Sequence, residues 1–176
     1  MIIGLTGMNG AGKTEAANYL KSRGFEFFSL SDIIREELKK EGKEATRENL
    51  IEEGNELRKK FGPSILADRV AKKIKRNAIV DSIRNPEEIK RLREEKGFIL
   101  LGIKAHIRLR YKRILPRKRV GEGISLKKFK ELEDRERTSD KNAQQLDTCM
   151  KMADFIIENN GTIEELHLKI SKLLDF

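Results

Sequence analysis

Gly7-Met8-Asn9-Gly10-Ala11-Gly12-Lys13-Thr14 places two glycines, a lysine and a threonine at the G-x-x-x-x-G-K-T spacing of a phosphate-cradling loop. Gly7, Gly10 and Gly12 let the backbone curl until successive N–H groups point inward, and a following helix adds its positive N-terminal end. A triphosphate fits such a nest. Lys13 would reach the β- and γ-phosphates, and the Thr14 hydroxyl would coordinate the Mg²⁺ that bridges them. The residues from Gly7 to Glu15 are therefore the candidate site for ATP, with Mg²⁺ as its companion ion.

A phosphoryl transferase needs a second anion site facing the first. Arg35 and Arg84 are suitably placed for it, the first on the helix expected after the second strand, the second three residues past Asp81. The planar fork of arginine suits a phosphate. Asp81, at the end of the apolar run Ala78-Ile79-Val80, stands where a carboxylate commonly holds Mg²⁺-bound water; a turn cap is its other reading. Ser31-Asp32 likewise reads either as a helix start with a favourable acid or as part of an acceptor site. The guanine-specifying tetrapeptide Asn-Lys-x-Asp is absent, which removes the GTPase reading.

These residues need elements to hold them. Met1 to Thr6 (MIIGLT) is a short apolar strand before the loop, and Ala16, Ala17 and Leu20 give the helical pattern after it. Phe25 to Leu30 (FEFFSL) reads as a second buried strand, with Ser31 capping the next helix. Helices are expected from about Thr46 to Lys60 and from Ser64 to Ile74. Asn85-Pro86-Glu87-Glu88 is a strong helix start, with cap, first-turn proline and early acids in order. Phe98 to Lys104 (FILLGIK) and Phe155 to Glu158 (FIIE) read as further strands, residues 142 to 152 as a helix, and Thr162 with Glu165 as the capping box of a terminal helix. Strands alternating with helices argue for an α/β fold with a parallel sheet and ligands at the carboxyl ends of its strands.

With 176 residues the chain suits one domain spanning 1–176, with excursions at 31–64 and 105–137. No apolar run approaches the roughly 20 residues of a membrane span, so no membrane partner is expected and the protein should be cytoplasmic. The lone cysteine, Cys149, excludes an intramolecular disulfide and reads as a small buried hydrophobe. His106 and His167 have no partner spacing. The net charge of +9 is concentrated: eight basic residues and no acid fall between Lys104 and Arg119. The other 30 basic residues nearly balance the 29 acids. A local cluster beside a phosphate loop is explained by phosphates more economically than by a general nucleic-acid surface, although RNA stays open as a partner. Oligomeric state is not legible.

Taken together these segments resemble the P-loop nucleotide kinases of the adenylate kinase and dephospho-coenzyme A kinase group, and within it archaeal adenylate-kinase-related proteins without an assigned substrate. Ser31-Asp32-Ile33-Ile34-Arg35 resembles the group's Gly-Asp-x-x-Arg segment, whose arginine binds the acceptor phosphate. Asp81-Ser82-Ile83-Arg84-Asn85 resembles Asp-Gly-x-Pro-Arg, one residue shorter and lacking the proline. The Arg108 to Arg119 stretch resembles the arginine-rich lid, and Ala153-Asp154-Phe155-Ile156-Ile157-Glu158-Asn159 the Ala-Asp-x-x-Ile-x-Asn end strand near the adenine. The resemblance implies a three-layer P-loop NTPase fold with a five-stranded parallel sheet flanked by helices. It also implies an acceptor-binding excursion over 31–64 and a basic lid over 105–137.

The implied reaction moves the γ-phosphoryl of Mg-ATP to a small nucleotide acceptor, first among them a nucleoside or deoxynucleoside monophosphate. Arg113, Arg117 and Arg119 would close over the phosphates with Lys13, and Asn159 would sit by the nucleotide. A hydroxyl-bearing acceptor such as dephospho-coenzyme A is the second reading; it needs a base, for which Asp32 is the candidate. An RNA-associated or regulatory ATPase is the third.

Overall fold

Five short apolar runs become one parallel sheet in the computed structural model, which describes residues 1–116, 125–135 and 140–175. The strands are β1 Ile2–Thr6, β2 Glu26–Ser29, β3 Ala78–Asp81, β4 Phe98–Lys104 and β5 Phe155–Glu158, in the order β2-β3-β1-β4-β5. Ile2 pairs with Ala78 on one side and with Phe98 on the other, and every strand pairing is parallel. Because β1 lies in the middle and is covered on both faces, all five of its residues are buried. That is why it reads as an unbroken apolar run and not as an alternation.

Side chains two apart share a face. Ile3, Leu5, Ile79, Leu101 and Ile103 pack under α1 (Lys13–Ser22) and α9 (Ile163–Leu174) through Leu20, Leu166 and Ile170. Ile2, Val80 and Leu100 face the other way. There they meet α2 (Leu30–Lys40), α3 (Arg47–Phe61), α4 (Ile65–Ala71), α5 (Pro86–Arg93) and α8 (Leu146–Lys151), through Ile33, Leu57, Leu66, Ile89 and Cys149. Helices on both faces of a parallel sheet make the three-layer α/β P-loop fold. The remaining helices, α6 (Ile107–Ile114) and α7 (Leu126–Arg135), follow β4 at the sheet's carboxyl edge.

The helix starts obey local chemistry. Thr46 Oγ1 accepts from Asn49 N at 3.1 Å. Asn85 Oδ1 accepts from Glu87 N at 2.9 Å while Glu88 Oε2 accepts from Asn85 N at 3.0 Å, so both sides of the α5 cap are satisfied. Three sequence expectations need correction. The strand over 25–30 is not buried: β2 is the edge of the sheet and Phe27 is 37% exposed. An aromatic-rich run has the same composition at an edge as at the centre, and only pairing distinguishes them. Ser31 does not cap α2, since the extended residue before the helix is Ser29 and Ser31 lies inside the first turn. The helix expected over 142–152 is likewise shorter, at 146–151, because residues 141–145 are held in irregular form by Arg84 and Asn85.

Candidate functional site

All five strands end at one edge, so Gly7, Leu30, Ser82, Ala105 and Asn159 follow in the same layer. The first of these ends carries the phosphate loop. Gly12 has φ of 111° and a Cβ there would overlap Asn159 Nδ2, while one on Gly7 would overlap the Ile103 carbonyl oxygen. The sequence therefore needs glycine for close approach as well as for backbone conformation. Asn159 is buried and donates from Nδ2 to Ala11 O at 2.8 Å, which ties the loop to the end of β5. Lys13 opens α1 and donates from Nζ to Gly7 O at 2.7 Å and to Met8 O at 3.2 Å, which lays its ammonium across the loop. Gly10, Gly12 and Thr14 line the two cavities described next; Gly7, Met8 and Ala11 shape the loop from within.

The larger cavity, about 650 Å³, runs from the loop to the helices of the 31–64 excursion. It brings together Asn9, Lys13, Thr14, Asp32, Arg35, Asp81 and Arg84, which the sequence had separated by up to 75 positions. Asp32 Oδ1 and Arg35 Nε lie 3.8 Å apart on one face of α2. Thr6 Oγ1 donates to Ile83 O at 2.9 Å, and that anchor sets the turn carrying Asp81 and Arg84 against the end of β1. Ser82, in this turn, has φ of 66°, a left-handed conformation costly for a residue with a Cβ. Its hydroxyl lies 3.3 Å from Asp81 Oδ2 and 3.3 Å from Ser29 Oγ, which in turn is 2.9 Å from Ser31 Oγ. The other oxygen of Asp81, Oδ1, is buried and has no hydrogen-bond partner among the described residues.

Sequence reasoning missed three of the wall's polar residues. Arg47 and Arg58, on α3, and Gln144, after α7, all line this cavity. Arg58 is 1% exposed and donates from Nε and Nη2 to Glu88 Oε1 at 2.9 and 2.7 Å. The available signal was the spacing Arg47, Ile51, Gly54, Arg58, which puts two arginines and a mid-helix glycine on the apolar face of one helix. A Cβ on Gly54 would stand 3.2 Å from Arg58 Nη1 and 3.0 Å from Ile34 Cδ1.

The second cavity, about 410 Å³, lies on the other side of the loop and is lined by Thr14, Glu15, Arg113, Asn159, Gly161 and Ile163, among others. Arg113 Nη1 donates to Asn159 O at 3.1 Å. The basic cluster is thus partly engaged by the chain's own residues, Lys104 at the surface and Arg110 in the interior. Lys104 pairs with Glu158 at 2.7 Å and holds that carboxyl below its ordinary value through the hydrogen bond and charge. Arg110 is 4% exposed, paired with Glu133, and donates from Nη1 to Asn9 O at 3.2 Å. Arg117 and Arg119 lie outside the described residues.

This geometry can be set beside known proteins. A family described as "AAA domain" matches residues 6–97, a little over half of the chain, covering the loop, Arg35, Asp81 and Arg84. A UPF0200 protein of Sulfurisphaera tokodaii is 32% identical over 98% of this chain and 95% of its own length. The chain belongs to the UPF0200 family. A "UPF0200/UPF0201 protein" of Archaeoglobus fulgidus is 33% identical over 98% of the chain, which spans only about half of that relative, 54% of its length. Among solved structures, shikimate kinase of Bacteroides thetaiotaomicron covers 100% of this chain, and this chain 99% of it, at a TM-score of 0.66 and 16% identity. At that identity the likeness speaks to the fold alone, the three-layer α/β P-loop fold. Among the described residues no helix is long and apolar enough to cross a membrane.

Proposed function

We propose that this UPF0200 protein is an ATP-dependent phosphotransferase that moves the γ-phosphoryl of Mg-ATP to a nucleoside or deoxynucleoside monophosphate. The observation that carries the reading is that one cavity is lined both by the phosphate loop's Lys13 and Thr14 and by Arg35 and Arg84. Donor phosphates and an acceptor anion would then face each other without intervening protein. The segments around Arg35, Arg84 and Asn159 support a place near the adenylate kinase and dephospho-coenzyme A kinase group.

Thr14 and Asp81 fit Mg²⁺: both line the cavity, and the buried unpartnered Oδ1 of Asp81 suits an ion or its water shell. Bound there with ATP, the ion would neutralise phosphate charge. The chain's own residues do the rest. Lys13 leaves Gly7 O and Met8 O for the phosphates, and the backbone from Met8 to Thr14 holds them by N–H groups. Arg35 and Arg84 hold the acceptor, and Arg113, from the second cavity, approaches the nucleotide on the side of Glu15 and Asn159. Arg117 and Arg119 would complete the lid over 105–137 and exclude water.

A hydroxyl acceptor is the second reading, favoured by one observation: the Asp32 carboxylate lines the same cavity. The basic cluster gives less support to RNA than its sequence suggested, because Arg110 is buried against Glu133 and Lys104 is paired with Glu158 at the surface.

The test is ADP production from Mg-ATP across nucleoside monophosphates, deoxynucleoside monophosphates and dephospho-coenzyme A, with Lys13→Ala as control. Strong stimulation by a monophosphate, lost in the control, is the expected result. Slow hydrolysis that answers to RNA and to no small acceptor would remove the kinase reading.

A further inference from the structure

Arg58, Glu88, Arg84 and Gln144 form a continuous chain of contacts along the cavity wall. Glu88 divides its two oxygens: Oε1 accepts from Arg58 Nε and Nη2, and Oε2 accepts from the backbone N–H of Arg84 at 2.9 Å and of Asn85 at 3.0 Å. Arg84 then donates from Nη1 to Gln144 Oε1 at 3.2 Å. Gln144 itself is fixed from outside the cavity. Asn85 Nδ2 donates to Lys141 O and Ala143 O at 2.8 Å each, and Gln145 N donates to Arg84 O at 2.8 Å, so the peptide on both sides of Gln144 is pinned to the turn after β3.

The orientation of the Gln144 amide follows from its partner. A guanidinium offers donors only, so the amide must turn its oxygen to Arg84 and its NH2 the other way. Gln144 is 3% exposed and lines the cavity, yet Nε2 donates to nothing among the described residues. Arg58 Nη1 is buried and equally without a partner among them. Arg58 Nη1, buried on this wall, is costly to leave unpaired unless something bound accepts from it, and the Gln144 NH2 is a second unengaged donor lining the same cavity. Glu88, the carboxylate in contact with Arg58, has no capacity left for them, since both its oxygens are taken. A group with several acceptor oxygens and negative charge satisfies the wall more fully than a neutral hydroxyl, which brings two lone pairs and no charge, and an ammonium, which accepts nothing, does not satisfy it at all.

We infer that Gln144 and Arg58 complete, with Arg84, a binding site for a phosphate monoester on the acceptor, and that Gln144 sets specificity for that group. Gln144 contributes its NH2 directly and also holds Arg84 in position. The phosphotransferase reading supplies the word acceptor, but the site's affinity for the anion does not depend on turnover.

The probe is inorganic phosphate, titrated by calorimetry into the full-length protein saturated with Mg-ADP so that the phosphate loop is filled. Wild type should bind phosphate, and Gln144→Met and Gln144→Glu should weaken it roughly 10- to 100-fold, the loss of one or more hydrogen bonds to a charged group. Gln144→Glu can still accept from Arg84, so its failure would isolate the missing donor and the added negative charge from any loosening of Arg84. Arg58→Lys keeps a cation for Glu88 and should also lose affinity. Mg-ADP affinity, measured on each variant, should stay at the wild-type level and reports the intact fold. Absence of phosphate binding in wild type, or unchanged phosphate affinity in the Gln144 variants, overturns the inference. Phosphate binding that responds to these variants in a protein no acceptor stimulates would instead uphold the site and remove the kinase reading.

Discussion

Arg110 and Glu133 form a buried ion pair that joins the phosphate loop to α7. Arg110 is 4% and Glu133 3% exposed; Nη2 of the arginine lies 3.1 Å from Glu133 Oε2, Nη1 contacts Oε1, and Nη1 also donates to Asn9 O. Phe129 on α7 is fully buried beneath them, with the Arg110 guanidinium 5.7 Å and that of Arg47 5.0 Å from its ring centroid. Removing one member strands the other charge out of water. Glu133→Ala should cost about 3–5 kcal/mol in denaturant unfolding. The double variant Arg110→Met/Glu133→Leu should cost less than Glu133→Ala alone, because no buried charge is left. A double variant that loses as much as the two single changes added together would show that the pair is not coupled.

Ser82 provides a test of backbone strain at the candidate site. Its φ of 66° favours glycine, and the resembling kinase segment has glycine at this place. Ser82→Gly and Ser82→Ala both delete the hydroxyl that touches Asp81 and Ser29, so the difference between them isolates the conformation. The glycine variant should be the more stable by about 1 kcal/mol. At an ordinary position alanine wins, so equal or reversed melting temperatures would refute the strain argument.

Glu37 links α2 to α4, its Oε1 accepting from Lys40 Nζ at 3.0 Å and from Arg69 Nη1 at 3.1 Å. The Lys40 hydrogen bond leads in holding its carboxyl below the ordinary 4.5, with Arg69 adding to it. A depressed folded-state value means that the carboxylate stabilises the fold above pH 4.5 and that this contribution is lost as pH falls through the lower value. Glu37→Gln should therefore melt below wild type near neutral pH, by about 1 kcal/mol at most for a partly exposed pair. The gap should close in acid. A gap that widens in acid would contradict the assigned direction.

The parts legible in the sequence are those written within a few residues. The phosphate loop is contiguous, and its glycines, lysine and threonine state their chemistry by spacing alone; the caps at Thr46 and Asn85 are equally local. The β2 edge was not legible, because exposure of Phe27 depends on which strands pair. Nor were the pairs Arg58 with Glu88 and Arg110 with Glu133, which are 30 and 23 positions apart and carry no local pattern. Their effect on interpretation is large. A stretch of eight cations looked like a free lid, whereas Arg110 is buried against Glu133, a partner that only the fold supplies, and Lys104 pairs with Glu158 at the surface. Gln144, one of two glutamines in the chain, offered no signal at all, since its meaning comes from the Arg84 guanidinium it faces.

Asp32 separates the two kinds of acceptor. Its carboxylate lines the cavity 3.8 Å from Arg35 and is largely exposed, so replacing it should leave the fold intact. A monophosphate acceptor is already ionised near neutral pH and needs no proton removed, whereas a hydroxyl must lose one as the new bond to phosphorus forms. With the monophosphate of the proposed reaction, Asp32→Asn should keep kcat within about tenfold of wild type and alter mainly the acceptor KM, through the freed Arg35. If Asp32 instead serves as the base for a hydroxyl, kcat should fall roughly 100- to 10,000-fold while acceptor binding persists. The partition between kcat and KM thus reads the chemistry of the acceptor from the enzyme's side, independently of which compound in the panel gives the highest rate.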